Sequence, residues 1–130
     1  MAARLSHTSI NCSDAFELSQ WWKEVLGYVD VEGDPNEAGD EECMILDPDG
    51  EQRLLFIEVA DLQDVPGRIH FDICAADSTR DAEVERILDL GATAVADRRN
   101  SDGSGWMTLA DPAGNLFCVV RSDAERELAS

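Results

Sequence analysis

The sequence predicts an α+β fold: two tandem βαβββ modules whose strands form a curved mixed sheet around a central cleft. Three observations predict it. The stretches LSHTSINCSD and RIHFDICAAD each place a histidine three residues before an isoleucine and seven before an aspartate, and those histidines, His7 and His70, are the chain's two. Each stretch leads into a segment that ends in Leu-Gly, at Gly27 and at Gly91. Each copy then carries a DPxG turn, at 47–50 and at 111–114. The histidines lie 63 residues apart, the glycines and the turns 64. So constant an offset over the whole chain is the mark of a tandem duplication.

The elements follow in order. The first strand of each copy holds its histidine. In DAFELSQWWKEVLG, the residues Phe16, Leu18, Trp21, Trp22, Val25 and Leu26 recur at helical spacing, and Val84, Ile87, Leu88 and Leu90 do so in DSTRDAEVERILDLG. Asp14 and Ser78 suit N-caps, and Gly27 and Gly91 suit the left-handed position that closes a helix. The runs YVDVEG, ECMILDPDG and RLLFIEVA supply three strands of the first copy, and TAVAD, GWMTLADPAG and NLFCVVR those of the second. The modules therefore span 4–61 and 67–122, joined near ADLQDVPG at 60–67, with a short tail at 123–130, all within a single domain. One helix covers one face of each sheet, so two modules side by side would enclose a cleft, where His7 and His70 would meet.

Composition narrows the functional classes. A net charge of −18 over 130 residues leaves no basic patch for phosphates and argues against nucleic acid. It suits a cationic ligand, or simply a solvated acidic surface. No stretch of about 18 apolar residues suggests a membrane span, and the N-terminus lacks the apolar core of a signal peptide. The four cysteines, Cys12, Cys43, Cys74 and Cys118, form no CxxC pair, so reduced thiols in a cytoplasmic protein are expected.

The duplicated pattern, the aromatic pair before Leu-Gly in WWKEVLG and the ending GW…LADPAGNLFCVV together resemble the vicinal oxygen chelate superfamily, which includes glyoxalases, extradiol dioxygenases and bleomycin-resistance proteins. The resemblance is nearest to glyoxalase-like domains of actinobacteria and covers residues 4–122. It implies ligands for a divalent metal (Zn, Ni, Mn or Fe) on the first and last strands of each module. Carried over by position, these are His7, Glu58, His70 and Cys118, the last standing where a glutamate is usual. Glu58 and Cys118 would then also be the catalytic residues, although a thiol is a doubtful proton-transfer base. The resemblance further implies a homodimer.

The residues permit blander readings. Each histidine could be hydrogen-bonded in a cleft wall, Cys118 could be a small buried residue, and Glu58 could lie beyond its strand in solvent. Asp72, two residues from His70 on the same strand face, could orient that imidazole or pair with an arginine. Trp21 and Trp22 read as helix packing, Trp106 as a wall of the cleft mouth, and RRNSDGSG at 98–105 as a flexible lid. Two functions compete: a metal-dependent lyase, isomerase or dioxygenase for a small substrate with vicinal oxygens, and a metal-free, antibiotic-like small-molecule binder.

Overall fold

A computed structural model of the chain describes residues 2–62 and 68–129, so most of the expected junction at 60–67 lies outside the described residues. The chain divides into two compact units, His7–Ile69 and Met1–Ser6 with His70–Ser130. Strand β1 (Ala3–Cys12) begins in the second of these and ends in the first.

The His7–Ile69 unit continues with α1 (Ala15–Leu26), β2 (Val29–Asp30), β3 (Glu42–Leu46) and β4 (Arg53–Glu58), in sheet order β2-β3-β4-β1. β1 and β4 run parallel, whereas the other pairs are antiparallel. A parallel return needs a long crossover, and α1 lies on that route. Asp14 caps α1 as expected, its Oδ1 accepting from the Glu17 N–H at 3.0 Å, and Gly27 ends it in the left-handed region at φ 70°. Ile10 and Cys12 of β1, Leu54 and Phe56 of β4, and Cys43 and Ile45 of β3 pack with Ala15, Phe16, Leu18 and Trp22 into one core. The first tryptophan departs from expectation. Trp21 stands edge-on to Trp22, 56% exposed, because consecutive helix positions point about 100° apart and the core takes only one of them.

The other unit repeats the plan with β5 (Ile69–Ala75), α2 (Arg80–Asp89), β6 (Thr93–Arg99), β7 (Gly105–Ala110) and β8 (Leu116–Val119), in order β5-β8-β7-β6. β5 and β8 are parallel. Val84 and Ile87 of α2 pack on Met107, Leu109 and Val119, with Ile73 and Phe117 alongside. The N-cap is Thr79, not Ser78: its hydroxyl accepts from the Ala82 N–H at 3.1 Å. The expected tail holds a third helix, α3 (Asp123–Ala129), started by a reciprocal capping box. Ser122 Oγ accepts from the Glu125 N–H, and Glu125 Oε1 from the Ser122 N–H.

The 98–105 stretch is a pinned turn, not a flexible lid. β6 runs to Arg99, and the buried Arg80 guanidinium donates to the carbonyls of Gly103, Ser104 and Gly105 at 2.9–3.2 Å. A buried guanidinium needs its donors satisfied, and these carbonyls satisfy them while fixing the loop. Both modules thus mix parallel and antiparallel pairing with one covering helix each, and the α+β class holds. No helix among the described residues is long and apolar enough to cross a membrane.

Candidate metal centre

In the second module, strand alternation sorts the side chains. Ile73, Phe117, Val119, Met107 and Leu109 point to α2. Successive strand residues face opposite ways, so His70, Asp72, Cys118, Thr108 and Trp106 share the face without the helix. Register then draws three of them into a row: Asp72 is opposite Cys118 across the parallel β5–β8 pair, and Thr108 opposite Cys118 across β7–β8. His70 precedes Asp72 by two positions and leans toward it, Nε2 to Oδ2 3.5 Å.

His70, Asp72 and Cys118 each offer a ligand atom, and all three atoms lie within 4.8 Å of one another. Asp72 is 6% exposed and Cys118 9%, while His70 is half-buried. Burial pushes the Cys118 thiol up from its ordinary value, against a hydrogen bond with Thr108 Oγ1 (3.6 Å), and the nearby Asp72 carboxylate pushes it further up. Without a cation the sulfur therefore holds its proton. The Asp72 carboxylate, buried beside an imidazole and a thiol, is a donor of the kind a cation takes.

The donor types fit a divalent metal. Imidazole nitrogen, carboxylate oxygen and thiolate sulfur are the ligands zinc takes, and three protein ligands leave a position open for substrate. Bonds of about 2.0–2.3 Å in a tetrahedron set neighbouring donors roughly 3.3–3.7 Å apart. The His70–Asp72 separation already falls there.

The first module does not assemble the expected set. Glu58 pairs with Cys12, and by the same register Phe56 pairs with Ile10. Those partners face α1, so Glu58 belongs to the helix side of the sheet, at the strand end, with its side chain exposed. His7 has the opposite parity on β1 and belongs to the helix-free face. It also stands five residues from Cys12, the partner of Glu58, which is about 16 Å along the strand. His7 and Glu58 are therefore not brought together. The position equivalent to Cys118 is Leu55, opposite Ser9 as Cys118 is opposite Asp72. Choosing Glu58 shifts the carried-over position by three residues, and an odd shift turns a side chain to the other face.

Trp106 is 44% exposed, on the same face as Thr108 and two residues from it. Thr108 was not singled out by sequence reasoning. Its signal lay in GWMTLA, where Met107 and Leu109 mark the buried parity and Thr108 the other.

The chain matches the family model of the glyoxalase-like domain over residues 7–120. Among solved structures it is similar to the methylmalonyl-CoA epimerase of Mycobacterium tuberculosis, with 21% identity, a TM-score of 0.62, and 89% of this chain and 85% of that one covered. A methylmalonyl-CoA epimerase solved with methylmalonyl-CoA and NH4+ has 24% identity and a TM-score of 0.64, over 95% and 97% of the two chains. A hypothetical protein of Bacillus halodurans has 13% identity and a TM-score of 0.63, over 92% and 94%. At these identities the likeness is one of fold. No curated protein matches the chain. Duplicated βαβββ modules, their strand order and a family match over nearly the whole length lead to one conclusion: this chain belongs to the glyoxalase-like domain family of the vicinal oxygen chelate superfamily.

Proposed function

We propose that this protein is a metal-dependent enzyme acting on a small substrate with two adjacent oxygens, as a lyase, an isomerase or a dioxygenase. The observation that carries the reading is the convergence of His70, Asp72 and Cys118 on the helix-free face of a glyoxalase-like module. A divalent ion bound at this face would supply Lewis acidity to vicinal oxygens of the substrate. The chain's own residues do the rest. His70, partly open to solvent, presents its imidazole at the edge of the cluster, 3.5 Å from the Asp72 carboxylate. Thr108 holds the sulfur of Cys118 in place. Trp106 offers an apolar wall on the same face. A Cys118 sulfur engaged as a ligand is not free to take a proton from substrate, so proton abstraction of the glyoxalase I kind does not rest on it.

The test is elemental analysis of chain purified without chelator, followed by assays on vicinal diols, hydroxyketones and catechols. Near-stoichiometric metal, and turnover lost on chelation and in His70→Ala, is the expected result. A chain that holds no metal, and takes up none when Zn, Ni, Mn or Fe(II) is added, overturns the reading. The net charge of −18 favours the second reading, a metal-free binder of a cationic small molecule, and that outcome would direct the search there.

A further inference from the structure

The metal-dependent reading leaves open which carboxylate holds the ion, and we infer that it is Asp72, with His70 and Cys118, in place of Glu58. This inference rests on that reading and concerns the same site. Four observations support it. The spacing of two on one strand gives His70 and Asp72 a common face, with Nε2 and Oδ2 3.5 Å apart. Cys118 sits directly across the ladder from Asp72, and the three donor atoms span no more than 4.8 Å. Asp72 is buried at 6% exposure, where a carboxylate benefits most from a cation. Glu58 is exposed, on the helix side of its own sheet.

The consequence is a centre containing sulfur. Thiolate and imidazole donors select zinc and cobalt over magnesium and manganese, which prefer all-oxygen surroundings. Cys118 would give a bound ion one soft anionic donor.

Zinc titration of the full chain against a competing chelator, with cobalt(II) as a spectroscopic substitute, tests this. Asp72→Asn keeps the shape and an amide oxygen able to accept from His70, so it separates a ligand from an orienting neighbour. Loss of an orienting partner weakens metal binding by about 10- to 100-fold, and loss of a ligand by more. The expected result is zinc affinity lowered by more than about 100-fold in Asp72→Asn and unchanged in Glu58→Gln. The cobalt(II) protein should show a thiolate charge-transfer band in the near ultraviolet, absent in Cys118→Ser and kept in Glu58→Gln. If Asp72→Asn does not fold, Asp72→Ser, which installs the residue found at the equivalent Ser9 position, takes its place. Zinc affinity that survives the Asp72 substitutions, or that falls in Glu58→Gln, overturns the inference and leaves the enzyme reading standing. Zinc bound through Asp72 without turnover of any substrate removes the enzyme reading alone. A chain that binds no zinc removes both.

Discussion

The two modules are copies in backbone and opposites in the row of side chains that crosses the middle of each helix-free face. In the second module the row reads Asp72, Cys118, Thr108. In the first the same register reads Ser9, Leu55, Met44. The helix-facing rows, by contrast, stay apolar in both: Ile10 with Phe56, and Ile73 with Val119. The duplicated halves thus agree in what packs under each helix and differ in this row, while His7 and His70 on the same face match. A helix-side residue must fill a fixed volume, whereas the helix-free face is restrained by whatever ligand it meets.

The strongest way to break this comparison is to write the first module's row into the second. Asp72→Ser with Cys118→Leu should abolish zinc binding, while a cooperative thermal melt persists, because overpacking by a leucine costs about 1–3 kcal/mol and removes no core element. Retained zinc binding in the double variant would show that the row is not what distinguishes the modules.

The helix-facing rows call for equivalent truncations. Phe56→Ala, at a fully buried position, should cost about 3–5 kcal/mol, and Val119→Ala, deleting two methyl groups, about 2 kcal/mol. Urea unfolding measures both, and equal costs would mean that the two cores do not differ as their residues suggest.

A third difference lies in the turn between the second and third strands of each module. Gly105 has φ +90°, and a Cβ there would sit 2.1 Å from the Arg98 carbonyl oxygen; the first module has Glu41 at the equivalent place. Gly105→Ala should therefore destabilise by about 2–3 kcal/mol, read as a lower urea midpoint. Its carbonyl also receives Arg80, so the loop should become sensitive to proteolysis in the same variant.

The smallest effect is alkaline. Cys43, in the first module's core, has its thiol pushed up by burial from an ordinary value of 9.0. The folded chain then keeps a proton that the unfolded chain gives up. That contribution is fully present below the unfolded value and is lost as pH rises through the folded one. Thermal melts should fall from about pH 9 upward, and Cys43→Ala should flatten the decline. An unchanged slope in the variant would assign the alkaline loss elsewhere.

Much of the architecture could be read in the chain because its signals are local. A capped start at Asp14, a left-handed stop at Gly27 and the glycine-closed turns at 47–50 and 111–114 need no distant partner. Ser78 against Thr79 was a choice between adjacent hydroxyls, which only helix phase resolves. The 98–105 loop looked free because its composition is that of a turn, and the residue that pins it, Arg80, lies about 20 positions away in sequence. The site divides in the same way. His70 and Cys118 share the helix-free face of their module, and Asp72 was read as a neighbour of His70, not as a donor. Glu58 was placed by a resemblance of sequence around FIEV, and a register of strands sends it to the other side.

By itself, then, the sequence determined the duplication, the order of elements and the class of fold, since periodicity, caps and turn residues act over a few positions. Tertiary structure alone decided which side chains share a site. Facing depends on the parity of each strand position, and neighbourhood on the register between strands. Both arise from hydrogen-bonded pairing between segments such as 69–75 and 116–119 that lie far apart along the chain.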